Sequence, residues 1–134
     1  MGRVDGKVAI ISGGASGLGL ASAKRLAEEG ATVIIGDVNQ TLGEQVASKI
    51  DNVLFEYLDV TKETNWERLI DKVVSTYGKL DILLNSAGIV QLASIEHTDE
   101  ALWRKINAVG TDGTFFGCKH AVRVMKKKRP GLNY

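Results

Sequence analysis

Ten residues constrain this chain more than any other stretch: Ile10-Ile11-Ser12-Gly13-Gly14-Ala15-Ser16-Gly17-Leu18-Gly19. The run that leads into them, Lys7-Val8-Ala9-Ile10-Ile11, is short, apolar and partly β-branched, and reads as a buried strand. Leu18 to Glu29 reads as a helix, with Leu18, Ala21, Ala23, Leu26 and Ala27 small or apolar enough to pack closely on a sheet. Gly13, Gly17 and Gly19 therefore fall at a strand-to-helix turn. Such a turn bends sharply, leaves backbone N–H groups bare and can seat a phosphate on a helix N-terminus. A glycine triplet alone also fits an ordinary loop. The strand before, the helix after and an acid at Asp37 make a dinucleotide-binding turn the better reading.

The next units repeat the pattern. Gly30 suits a left-handed helix end, and Thr32-Val33-Ile34-Ile35-Gly36 is a second buried strand with Asp37 at its C-terminal end. Asp37 stands near the spacing of about 20 residues from the glycine turn expected of an acid that binds ribose hydroxyls. A carboxylate there accepts two hydroxyl hydrogen bonds and repels a 2′-phosphate. Val38-Asn39-Gln40 follows it with no Arg or Lys, and Ser16 in the turn is uncharged, so NAD is favoured over NADP. Asp37 could also cap the following helix, Gln40 to Ile50, although Asn39 or Thr41 can do that instead.

Val53 to Leu58 is a third strand, ending in Asp59-Val60-Thr61, and Thr61 or Thr64 can cap the next helix. That helix carries Trp66, Leu69, Ile70, Val73, Val74 and Tyr77 at helical spacing and stops at Gly78. Leu80-Asp81-Ile82-Leu83-Leu84 is a fourth strand, followed by the loop Asn85-Ser86-Ala87-Gly88. Three successive strand–helix–strand crossovers predict an α/β fold: a doubly wound parallel sheet of about four strands with helices on both faces. Ligands of such sheets bind beyond the strand C-termini, where Gly13, Asp37, Asp59 and Asn85 all fall.

From Thr98 or Asp99 one long helix is expected to about residue 125, with Leu102, Ile106, Val109, Gly113, Phe116, His120 and Val124 on one stripe. Gly110, Gly113 and Gly117 would each cost this helix about 1 kcal/mol relative to alanine, which points to close approach of another backbone or a ligand. The basic run Lys126-Lys127-Lys128-Arg129 reads as a solvated helix end rather than a nucleic-acid patch, and residues 126–134 as an irregular basic tail. With 134 residues at 44% apolar, 25% charged and net charge +1, the chain reads as one domain with no bias toward nucleic acid or membranes. No apolar signal core opens it, and a myristoylation signal at Gly2 would need Ser or Thr where Gly6 stands. One cysteine, Cys118, suits a reducing compartment, and a cytoplasmic protein is expected. A metal site is not expected: His97 and His120 are distant in sequence, and Cys118 and His120 do not share a helix face.

Together these segments resemble the short-chain dehydrogenase/reductase family over essentially Val4 to Lys128. Its Thr-Gly-x-x-x-Gly-x-Gly turn is matched by Ser12-Gly13-Gly14-Ala15-Ser16-Gly17-Leu18-Gly19, with serine keeping the hydroxyl. Asp37 matches the acid after the second strand, Asp59-Val60 the adenine-bordering pair, and Asn85-Ser86-Ala87-Gly88 the Asn-Asn-Ala-Gly segment with serine in its second place. The resemblance implies a Rossmann-type fold and NAD(H)-dependent hydride transfer with a secondary alcohol or ketone. It implies that Gly13, Ser16, Gly17, Leu18 and Gly19 cradle the pyrophosphate, Asp37 and Val38 border the adenosine ribose, Asp59 and Val60 the adenine, and Asn85, Ala87 and Gly88 the inner ribose.

The family's acid–base group is an Asn in the long helix, a Ser, and a Tyr-x-x-x-Lys pair in which Lys and the nicotinamide ribose lower the Tyr pKa. Gly110 stands in the Asn position of the Asn-x-x-Gly-x-Phe segment, here Gly110-Thr111-Asp112-Gly113-Thr114-Phe115. Asn107 lies three residues earlier and is expected to pack under the preceding loop. Tyr57 and Tyr77 lack a Lys four residues on, and Tyr134 ends the sequence. The chain thus reads as a truncated N-terminal part that is inactive alone; the alternative is a non-catalytic NAD-binding or interaction module pairing with a full-length relative. Self-association is expected through the long helix 99–125, exposing Trp103, Phe115 and Val122, or through the free edge of Ile82-Leu83-Leu84. The loop Gln91 to Glu96 is too generic to name a substrate.

Overall fold

A computed structural model of the chain describes residues 2–89 and 92–126. The elements alternate as β1 (Val8–Ser12), α1 (Gly17–Glu28), β2 (Thr32–Asp37), α2 (Gln40–Ser48), β3 (Val53–Tyr57), α3 (Glu63–Tyr77) and β4 (Ile82–Asn85). A short 3-10 turn (Ile95–His97) then precedes α4 (Glu100–Asn107), a π-helical turn (Ala108–Asp112) and α5 (Gly113–Lys126). The four strands form one parallel sheet in the order β3-β2-β1-β4, the Rossmann-type arrangement.

Strand β1 is buried along its whole length because both of its faces are covered. Val8 and Ile10 join Ile34, Leu58, Trp66, Ile70 and Val73 under α3 and α5. Ala9 and Ile11 face the other way, onto Ala23, Ala27, Val33 and Ile35 under α1. Each large aliphatic side chain so enclosed contributes about 1.5–3 kcal/mol relative to exposure. Trp66 is fully enclosed, and its indole N–H donates to the Val60 carbonyl at 3.1 Å, so no polar group is stranded.

Element ends follow local chemistry. Asn39 caps α2, its Oδ1 accepting from the Leu42 N–H at 3.1 Å, which frees Asp37 from that duty. The expected threonine cap of α3 is absent. Lys62 stands at its N-cap without a side-chain bond, and the Thr61 hydroxyl donates instead to Asp59 Oδ1 at 2.7 Å. Gly78, at φ +81°, closes α3. Strand β4 starts two residues later than expected, because Asp81 turns its carboxylate to accept the Val8 N–H at 2.9 Å and to meet Lys79 at 3.0 Å.

The long helix of the sequence reading is interrupted. Asp99 caps α4, accepting from the Leu102 N–H at 2.7 Å, but the π turn separates α4 from α5. Gly113 and Gly117 do mark close approach: a Cβ on Gly113 would lie 2.9 Å from Val60, and one on Gly117 2.9 Å from Trp66 and 2.8 Å from Asn85 Oδ1. Gly110 does not, since a Cβ there would meet nothing within 4 Å. The Asn107 amide donates to the Trp103 carbonyl of its own helix at 2.9 Å. Helix α5 is tied to α3 by Lys119 and His120 on Glu63 and by Arg123 on Asp71. The Lys119 bond first, and His120 second, hold the Glu63 carboxyl below its usual range. Lys126 is the last residue of α5 rather than the start of the irregular tail. The expectations for residues 127–134 and for Gln91 fall outside the described residues.

Candidate functional site

A cleft of about 1020 Å³ opens above the C-terminal ends of the strands. Its floor is the β1–α1 turn, where the Gly13 N–H donates to the Gly36 carbonyl of β2 at 2.8 Å. Gly13 holds φ +68°, and a Cβ on it would lie 2.7 Å from the Ala87 Cα. A Cβ on Gly19 would strike the Gly13 carbonyl. Glycine at both positions therefore lets the turn pack closely on itself and on the loop after β4. Helix α1 begins with no acidic residue in its first turn and no side-chain cap from Ser16, which leaves its first N–H groups directed at the cleft.

Asp37 stands at the next strand end. Its Oδ2 accepts the Ala15 N–H at 3.2 Å and its Oδ1 accepts the Asn39 N–H at 3.0 Å. The carboxylate is thereby fixed against the glycine turn, while each oxygen keeps further acceptor capacity. Asp59, at the end of β3, is fixed in the same way: its Oδ1 accepts both the N–H and the hydroxyl of Thr61, at 3.0 and 2.7 Å.

The loop after β4 is joined to the floor through Ser12. The buried Ser12 hydroxyl accepts from the Ser86 N–H at 3.2 Å and the Ala87 N–H at 3.3 Å. This bracing explains why a hydroxyl residue precedes the turn.

All the residues singled out in the sequence line this cleft except Asn85. Gly13, Ser16, Gly17, Leu18 and Gly19 form the floor, Asp37 and Val38 one wall, Asp59 and Val60 the next, and Ala87 and Gly88 the far end. Asn85 is a correction. Its Nδ2 donates to Cys118 Sγ of α5 at 3.5 Å, its Oδ1 is buried without a partner among the described residues, and it is not among the lining residues of the cleft. Several lining residues were not assigned to the cleft from the sequence: Leu58, Thr61, Ile89, Lys105, Ala108 and Val109. The last three come from α4 and the π turn, whose approach to the strand ends no local pattern announces. Among the described residues no group of three or more His, Cys, Asp or Glu could hold a metal ion, and no helix is long and apolar enough to cross a membrane.

The family model of the short chain dehydrogenases matches residues 7–132. The chain belongs to the short chain dehydrogenase family. It is 40% identical over 134 residues to tropinone reductase-like 1 of Erythroxylum coca, covering 96% of this chain and 49% of that protein. It is 39% identical over 134 residues to an NADP-dependent (R)-specific alcohol dehydrogenase of Lentilactobacillus kefiri, covering 98% and 53%. The fold superposes with a TM-score of 0.89 and 32% identity on a 3-ketoacyl-(acyl-carrier-protein) reductase from Brucella melitensis complexed with NADH, over 94% of this chain and 52% of that one. This short chain dehydrogenase sequence thus spans about half the length of the curated relatives it matches.

Proposed function

We propose that this chain forms the nucleotide-binding half of an NAD(H)-dependent oxidoreductase acting on a secondary alcohol or ketone. The observation that carries the reading is the fixed Asp37 carboxylate, held against the turn by Ala15 and Asn39 with acceptor sites to spare. The glycine-rich floor and open helix N-terminus fit a pyrophosphate, and the cleft volume lies at the upper end of the range for small-molecule sites, about 300–1,000 Å³.

In this reading residues 1–134 act as one nucleotide-binding domain. The N–H groups of Gly17, Leu18 and Gly19 hold the pyrophosphate, with Ser16 at the rim. Asp37 accepts the hydroxyls of the adenosine ribose, with Val38 beside it, and Asp59 and Val60 border the adenine. Ala87 and Gly88 meet the inner ribose through a loop that Ser12 braces and Asn85 backs. The bound nicotinamide supplies a carbon that gives or takes hydride. Asp37 selects against a 2′-phosphate by charge, which supports NAD(H) over NADP(H).

Within these 134 residues Tyr57 and Tyr77 have no Lys four positions on, and Gly110 stands in the position of the helix Asn. In this reading these 134 residues account for nucleotide binding and not for turnover. The test is a fluorescence titration with NADH and NADPH. The reading predicts tighter NADH binding, and a loss of about tenfold or more in NADH affinity for Asp37→Ala, since a charged acceptor of two hydroxyl bonds is removed. Equal affinity for NADPH would refute the cofactor choice.

One observation favours a second reading, a module that pairs with another chain. Phe115 and Val122 lie seven residues apart on α5, at 60% and 50% exposure, and Trp103 on α4 is at 62%. Large apolar side chains so placed suit a helix-to-helix contact.

A further inference from the structure

The cleft has a charge problem. Its described lining carries two carboxylates, Asp37 and Asp59, yet the ligand proposed for it bears a negative charge on each phosphate. Backbone N–H groups of the turn offset part of this. Among the described lining residues only one carries a cation, Lys105.

Nothing else accounts for Lys105. Its neighbour Arg104 pairs with Glu100 of the same helix at 2.8 Å, whereas Lys105 makes no ion pair among the described residues. A cation in the last turn of a helix usually serves the C-terminal dipole. That explanation fails here, because α4 runs straight into the π turn and α5, so its carbonyls do not end at a free terminus. The π turn contributes Ala108 and Val109 to the same wall, and the exposed Lys105 lines the cleft with them.

We infer that Lys105 is the counter-charge of the cleft, lowering the repulsion between the nucleotide phosphates and the Asp37 and Asp59 carboxylates. It does so from the rim, as an exposed ammonium acting through space rather than as an inserted ligand. This rests on the proposed nucleotide site. Its signature is electrostatic: the contribution falls with salt, depends on ligand phosphate and survives replacement by another cation.

The experiment titrates the 134-residue chain and its Lys105→Gln, Lys105→Arg and Lys24→Gln variants with NADH, 5′-AMP and adenosine, at low salt and at about 1 M salt, where the screening length is about 3 Å. Lys24 lies on α1 outside the cleft and controls for net charge. The expected result is NADH and AMP binding weakened about threefold in Lys105→Gln at low salt. The gap closes at high salt, adenosine is unaffected, and Lys105→Arg and Lys24→Gln behave as the parent. Unchanged NADH affinity in Lys105→Gln, an equal loss for adenosine, or an equal loss in Lys24→Gln would overturn the inference. If the parent chain itself binds no NADH, the nucleotide reading fails and the inference falls with it.

Discussion

Single residues decide the shape of this cleft by what they omit. Gly13 combines a left-handed φ of +68° with a neighbour, the Ala87 Cα, that a Cβ would approach to 2.7 Å. Gly13→Ala is therefore expected to destabilise the fold by about 1–3 kcal/mol in chemical unfolding and to abolish NADH binding. Ser12 works by what it adds. Ser12→Ala strips the acceptor from two part-buried N–H groups of the loop after β4, and should cost about 1–3 kcal/mol. The two residues were unequally legible. Gly13 announces itself because a glycine between a strand and a helix has a local reason. Ser12 could be matched to a hydroxyl position, but its partners lie more than seventy residues away, and only the pairing of β1 with β4 brings them together. Asn85 shows the reverse: its motif was visible, while its direction, toward Cys118, was set by packing of α5 that no motif encodes.

At the scale of elements, strand and helix identities follow from hydrophobic period and glycine stops, and the sheet follows from their alternation. The break between α4 and α5 does not, because a π turn keeps the same residues on roughly the same side and leaves the stripe from Leu102 to Val124 intact. Its glycines differ in kind. Gly110→Ala enters open space and should stabilise by about 0.5 kcal/mol, up to the ordinary glycine-to-alanine gain. Gly117→Ala pushes against the enclosed Trp66 ring and Asn85 and should destabilise by about 1–3 kcal/mol. The start of β4 carries a pH dependence. Partial burial works against the charged form of Asp81, but the Val8 N–H bond and Lys79 prevail and hold its carboxyl below the ordinary value of 3.8. A depressed folded value means that the stabilisation is complete above pH 3.8 and is lost as pH falls through the lower folded value. Acid unfolding of Asp81→Asn should accordingly show a shallower decline below about pH 4 than the parent, from a lower plateau.

At the scale of the whole molecule, among the described residues one flank of the sheet and one face of the last helix carry exposed or half-buried apolar side chains. Among the described residues strand β4 pairs with β1 alone, and its four residues are half-buried, whereas β1 is enclosed throughout. An edge of Ile, Leu and Leu beside exposed Trp103, Phe115 and Val122 is a surface that favours association. Sedimentation velocity is expected to show concentration-dependent self-association of the parent chain, reduced in a Trp103→Ser, Phe115→Ser double variant; a monodisperse monomer across the micromolar range would contradict this. The cleft is lined from the glycine turn through Asp37 and Asp59 to Ala87 and Gly88, and the proposed function requires these walls to suffice for the nucleotide. That these walls alone bind NADH is the central claim, and calorimetric titration of the purified chain with NADH tests it most directly. The account predicts saturable binding at one site per chain, weakened in Asp37→Ala. Absence of heat from soluble protein whose circular dichroism shows it folded would contradict it.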